Sequence, residues 1–123
     1  MAALVLVSAA SPSFAQVPSV RRITASDTDT ATTSDGPIGT IAWAYPDQNS
    51  KTETLFACTS LGTTPTTGYL ITIKDEIGTS SAYSIQINPA PTNTIDGLAS
   101  YALKANHGSV TLQCDGAGNW MLE

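Results

Sequence analysis

The sequence predicts an all-β protein: a small antiparallel β-sandwich or barrel-like domain of about eight short strands, preceded by an N-terminal extension. Three observations carry this. Apolar residues occur in short runs that alternate with polar ones, the two-residue period of a half-buried strand. Gly, Pro, Asp or Asn interrupts each run after a few residues. The chain is 41% hydrophobic but only 12% charged. Thr and Ser fill the gap, and Thr favours a pleated, half-buried surface. No segment after residue 16 shows a helical period.

The strands follow in order. Val20-Arg21-Arg22-Ile23-Thr24 is the first. Residues 26–37 are polar and read as a loop or an exposed edge strand, closed by the Asp35-Gly36-Pro37 turn. In the stretch from Gly39 to Tyr45, Ile41 and Trp43 share one face and Ala42 and Ala44 the other. Glu53 to Cys58 is the next strand, and a Gly/Thr/Pro loop runs from Leu61 to Gly68. Tyr69 to Lys74 is the clearest strand of all. Asp75-Glu76-Ile77-Gly78 turns it back toward Ser84-Ile85-Gln86-Ile87-Asn88, so these two strands are expected to pair as neighbours. Thr94-Ile95-Asp96-Gly97 forms a tight corner. Ser100 to Leu103, Ser109 to Cys114 and Asn119 to Leu122 complete the set, the last two joined by a glycine-rich hairpin loop at residues 115–119.

The chain divides into residues 1–19, an N-terminal arm or signal-peptide-like segment, and residues 20–123, a single β domain. At 123 residues it fits one domain with a core of its own. Residues 2–10, AALVLVSAA, are apolar, and Ser13-Phe14-Ala15 before Gln16 has the small-x-small form of a cleavage site. No Lys or Arg precedes the apolar run, so the basic start of a secretory signal is missing. An uncleaved arm packing on a neighbouring subunit is the alternative. The run is too short to span a bilayer.

Formal net charge is −5 and there are only five Lys and Arg residues, so the chain repels a phosphate backbone and nucleic acid is excluded as a partner. The two cysteines, Cys58 and Cys114, form no CxxC pair, and His107 is the one histidine, so no metal-ligand set is assembled. Two buried free thiols are preferred over a disulfide, since free Cys packs well in cores.

Several of these pieces, taken together, resemble a known group. Ile71-Thr72-Ile73-Lys74-Asp75-Glu76-Ile77-Gly78 is followed by Ser84-Ile85-Gln86-Ile87. Thr94-Ile95-Asp96-Gly97 and Ser109-Val110-Thr111-Leu112 come next, and Asp115-Gly116-Ala117-Gly118-Asn119-Trp120 comes last. Over residues 20–123 this succession resembles small modules of bacteriophage tail fibres, head fibres and capsid-decoration proteins. Such modules carry an IKDxxG turn, an IxI strand, a TIDG corner and a final Asp-Gly hairpin ending in Trp, in this order. Phe56-Ala57-Cys58 departs from the pattern, where such modules have Leu-Pro. The resemblance implies a β-rich virion structural protein, with trimer the favoured homo-oligomer. It implies other virion proteins, capsid or tail, as partners; a host-surface glycan is a further candidate ligand, suggested by the aromatic residues. It implies no catalytic residues and no cofactor.

The residues suggest little chemistry of their own. Asp75, Asp96 and Asp115 are read as carboxylates that hold turn N–H groups. Calcium at Asp75, Glu76, Asp96 and Asp115 is the rejected alternative, because the ion needs six or more converging oxygens and no tandem Asp repeat supplies them. His107 lies in an Asn-His-Gly turn with no nucleophile-elbow sequence nearby and is read as a solvated turn residue. Asp75 and Glu76 are adjacent on a strand, so they point to opposite faces and do not flank one glycosidic bond. Trp43 and Trp120 are read as core, with Tyr45 and Tyr83 the better candidates for exposed contact. The expected class is therefore a non-enzymatic assembly module of a virion. The alternative is a secreted or periplasmic carbohydrate-binding or adhesin module, which requires cleavage after Ala15 and a Cys58–Cys114 disulfide.

Overall fold

The computed structural model describes residues 18–123. Except for its last two residues, the expected N-terminal segment lies outside the described residues. The described chain is all-β, as the alternation indicates. Ten strands run in order: β1 Ser19–Ile23, β2 Thr28–Thr30, β3 Ile38–Trp43, β4 Lys51–Thr54, β5 Leu70–Asp75, β6 Ile85–Asn88, β7 Thr94–Ile95, β8 Tyr101–Leu103, β9 Ser109–Cys114 and β10 Asn119–Leu122. They form a six-stranded sheet in the order β1-β3-β5-β9-β10-β7 and a four-stranded sheet in the order β2-β4-β6-β8.

The chain alternates between these two sheets from β1 to β6. β1, β3 and β5 lie parallel in one, and β2, β4 and β6 lie parallel in the other. The first half is thus a coil of three parallel turns, each giving one strand to each sheet. β8, β9 and β10 then close the far end by antiparallel pairing, β8 on β6, β9 on β5 and β10 on β9. The expected sandwich of short strands is present, but its pairing is mixed.

One expected neighbour pair is corrected. β5 and β6 do not pair. They sit in opposite sheets, so Ile71 and Ile73 meet Ile85 and Ile87 across the core instead of along an edge. Alternation fixes which face of a strand is buried, and both strands satisfy it equally well in either arrangement. β4 also begins earlier than its apolar residues suggest. Its register is set by pairing with β6, Lys51 opposite Ile85 and Glu53 opposite Ile87.

The core lies between the sheets. Ile41, Trp43, Ile71, Ile73, Leu112 and Trp120 come from the larger sheet, and Ile85, Ile87 and Leu103 from the smaller, with Leu55 just beyond the end of β4. Phe56 meets Trp120 edge-on at 5.3 Å between ring centroids and Tyr69 at 5.8 Å. Such pairs add about 1 kcal/mol beyond the area they bury.

The cysteines also need correction. Both are buried, as expected, but they are not free thiols: Cys58 and Cys114 form a disulfide with Cα atoms 5.4 Å apart. The fold brings the segment after β4 against the β9–β10 hairpin. Gly118 N–H donates to Cys58 O at 3.0 Å, and Thr59 bridges Ala117. That approach puts the two Cα atoms within the range a disulfide spans, and spacing in the sequence cannot show it.

Candidate functional site

Three regions have the character of a site: the charged end of the coil, the turns that sequence analysis singled out, and a hollow beside the disulfide.

At the N-terminal end of the coil, β1 and β2 are the edge strands of their sheets. Arg21 enters between them. Its Nη1 and Nη2 donate to Asp29 Oδ1 and Oδ2 at 2.8 and 2.7 Å, and its Nε donates to Asp35 Oδ1 at 2.8 Å. The hydrogen bonds it donates to Asp29 and Asp35 hold the guanidinium well above its usual value, and the same bonds hold Asp29 below the usual carboxylate range. Asp29 lies opposite Glu53 across the β2–β4 pair. Glu53 is 0% exposed, and Trp43 Nε1 donates to its Oε1 at 3.1 Å. Its Oε2 has no hydrogen-bond partner among the described residues. Burial first, and then side-chain pairing with Asp29 and its charge, push the Glu53 carboxyl up to about 9. That shift favours the protonated form at neutral pH, which spares the core a buried charge.

Lys51, on the same side of β4, is 3% exposed. Its Nζ donates to Asp27 Oδ1 and Asn49 O, both at 2.8 Å, and to Asp47. The ammonium lies 5.4 Å from the Tyr45 ring centroid, a cation–π contact. Burial pushes Lys51 down, but the two carboxylates outweigh it and hold the amine above its usual value.

Arg21, Asp29 and Asp35 thus tie the edge strands β1 and β2 together at this end of the coil. They also blunt the edges. Ala44 N–H donates to Ile23 O, which sets the phase of β1: Val20 and Arg22 turn their backbone groups outward. On β2 the outward groups belong to Thr28 and Thr30. Ser26 Oγ accepts from Thr28 N–H at 3.1 Å and donates to Thr28 O at 2.9 Å, so part of that edge is already occupied. Inward charges and a blocked edge are devices that stop sheets from adding strands at random.

Asp75 and Asp115 hold turn N–H groups as expected, and Asp96 does not. Asp75 is buried, and its two oxygens accept from the N–H groups of Ile77, Gly78, Ser80 and His107. Burial pushes this carboxyl up, but the N–H groups outweigh it and hold it below its usual value. Glu76, its neighbour, is on the opposite side and pairs with Arg22 at 2.7 Å. Asp115 Oδ1 accepts from Ala117 and Asn119 N–H. Asp96 accepts not from its own corner but from Leu122 N–H, which fastens the corner to β10. Among the described residues no group of three His, Cys, Asp or Glu side chains is placed to hold a metal ion.

His107 is exposed, with its ring against Gly78: a Cβ at Gly78 would lie 2.3 Å from His107 Nε2. No hydrogen bond of the ring is formed among the described residues. Trp43 and Trp120 are fully buried and present no face to a sugar. Tyr45 and Tyr83 are half-buried, Tyr45 beneath Lys51.

The hollow, about 630 Å³ and open to solvent, is lined by residues 57–61, 91–93 and 116–118. Asn93 Oδ1 accepts from Cys58 N–H at 2.8 Å, which fixes the hollow's floor to the disulfide. Leu61 at its rim is 76% exposed. No aromatic face and no charged side chain line it.

Neither a family model nor a curated protein matches the chain. Among the described residues no helix is long and apolar enough to cross a membrane.

The charged end of the coil was missed in the sequence. Its signal was the placement of Asp27 with Asp29 and of Lys51 with Glu53, each two residues apart. In a strand that spacing puts both side chains on one face.

Proposed function

We propose that this chain is a non-enzymatic structural module of a bacteriophage particle, a surface-decoration or fibre module that works as a homo-oligomer, with a trimer favoured. The observation that carries this reading is the coil of three parallel turns, β1–β3–β5 against β2–β4–β6. Such a coil is a rigid rod-like unit that gains sheet by stacking turns in register. Its turns are fastened by carboxylates that accept backbone N–H groups, so side chains that elsewhere do chemistry are committed to the scaffold. The ordered succession of IKDxxG, TIDG and Asp-Gly hairpin turns supports the same reading. Mass spectrometry of purified particles, with antibody labelling under the electron microscope, tests it. Recovery of the chain in stoichiometric amounts on the particle surface is expected, and its absence from particles counts against the role.

One observation favours a second reading, an exported carbohydrate-binding or adhesin module. The Cys58–Cys114 disulfide belongs to an oxidising compartment, and the start of the chain has the apolar run and small-x-small pattern of an export signal. Intact mass of the protein from its native source separates the two: a chain beginning at Gln16 supports export, and retention of Met1 through Ala15 removes it.

A further inference from the structure

The smaller sheet closes its edge over an acid. Glu53 of β4 is 0% exposed, and the strand that covers it on the outer side is β2, three residues long and paired only with β4. Asp29 of β2 stands in register with it. Trp43 of β3 donates to one Glu53 oxygen, and the other has no partner among the described residues. The charged groups around this pair are already committed. Arg21 of β1 gives its guanidinium to Asp29 and to Asp35 of the turn at residues 33–35. Lys51, two residues before Glu53, is held by Asp27 and Asp47. Asp75 of β5 lies opposite Trp43, and its oxygens accept the N–H groups of its own turn and of His107. On β6 the residue opposite Glu53 is the apolar Ile87.

We propose that the proton on Glu53 latches the edge turn β1–β2 to the coil, so that losing it releases this turn while the rest of the sandwich stays folded.

Ionisation would set two carboxylates opposite each other on neighbouring strands. Such strands lie about 4.8 Å apart, and like charges directly opposite repel. With Arg21 and Lys51 both paired, water is what remains to solvate the new charge. Toward β6 and β3 the way is closed by Ile87 and Trp43, both 0% exposed. On the other side lies β2, whose outer edge pairs with no strand. Lifting β1 and β2 exposes little core, since Ile23 and Ala31 are the buried apolar side chains of residues 19–35. Opening an edge of this kind costs less than unfolding the whole domain.

The position of the proton agrees with this geometry. Burial and then pairing with Asp29 raise Glu53 to about 9, whereas Asp29 is lowered, by Arg21 first and by Glu53 as well. A raised value keeps the turn shut at low pH and opens it as pH climbs. Once the turn is open, Glu53 returns toward its ordinary 4.5. Between those two values opening releases one proton, so the opening equilibrium grows about tenfold per pH unit.

Amide hydrogen exchange of the full chain, read residue by residue by NMR from pH 6 to pH 8 and referred to unstructured-chain rates, tests the latch. Three amides report the edge turn: Thr52 N–H donates to Asp27 O, Ala31 N–H to Thr54 O and Ala44 N–H to Ile23 O. Cys114, whose N–H donates to Tyr69 O, reports the core. Protection of the first three is expected to fall about tenfold per pH unit and to stay at least about tenfold below that of Cys114. Glu53→Gln keeps an acceptor for Trp43 but has no proton to lose, and should hold the three at constant protection. Constant protection in the unaltered protein overturns the latch, whatever the variant does. An equal decline in Glu53→Gln overturns it too. So does exchange of the three amides in step with Cys114 at every pH, which would mean that the chain opens only as a whole.

Discussion

Trp43 Nε1 donates to Glu53 Oε1 at 3.1 Å, and both side chains are completely buried. The bond links β3 of the larger sheet to β4 of the smaller, so it is a polar strut through an otherwise apolar core. It also satisfies the indole N–H, which Trp120 in the same core leaves without a partner among the described residues. The strut works with a neutral carboxyl, because a carboxylate there would face Asp29 with one oxygen unpaired.

Stability should therefore fall as pH rises. Glu53 ionises near 4.5 when unfolded and near 9 when folded. Between those values the folded protein holds one more proton, so this group's contribution is complete below about 4.5 and is lost as pH climbs to about 9. Asp29, Asp75 and Glu76 act in the opposite sense, since their depressed values favour the fold above the usual carboxylate range and fail in acid. Urea midpoints at pH 5, 7 and 9 are expected to decline in that order. Glu53→Gln keeps an acceptor for Trp43 without the charge. It should flatten the decline and raise stability at pH 8 by about 2 kcal/mol. A wild-type midpoint constant from pH 5 to 9 would show that Glu53 is not held protonated.

Asp75 should be among the least replaceable polar residues. Asp75→Ala leaves the N–H groups of Ile77, Gly78, Ser80 and His107 without their acceptor. The expected loss is about 3 kcal/mol or more. Asp75→Asn keeps one acceptor oxygen and should cost less. Chemical denaturation of both variants checks the order, and equal stabilities would contradict it.

Opening the disulfide should destabilise without unmaking the sheets. The bond closes a loop with a sequence separation of 56, for which chain entropy gives about 4 kcal/mol. Reduction, or the double replacement of Cys58 and Cys114 by Ala, should lower the thermal midpoint with little change in far-ultraviolet circular dichroism below it. An unchanged midpoint would mean the bond is absent from the folded protein.

Ser26→Ala should alter association more than stability. Without the hydroxyl, Thr28 N–H and O on the edge of β2 lose the partner that occupies them. The change in folding free energy is expected within about 1 kcal/mol, while light scattering on concentration should rise. Equal scattering from variant and parent would show that the hydroxyl does not protect the edge.

The sequence by itself determined the local level. The alternation in Ile71-Thr72-Ile73 and Ile85-Gln86-Ile87 states which side chains face inward. The Asp-Gly corners state where the chain turns, and Asp75 and Asp115 were legible as carboxylates that hold turn N–H groups. These are relations among residues a few positions apart, which strand pleat and turn chemistry dictate directly.

Only the tertiary structure decided what meets what. The wound order that sets β5 parallel to β3 and places β6 in the other sheet left no trace in alternation, which is identical for either pairing. The disulfide required the segment after β4 to arrive beside β9, and Arg21, Asp29 and Glu53 became a cluster only because β1, β2 and β4 meet at one end of the coil. The physical reason is common to all three: strands are assigned by side-chain period, but neighbours are chosen by backbone hydrogen bonds and burial summed over the whole chain.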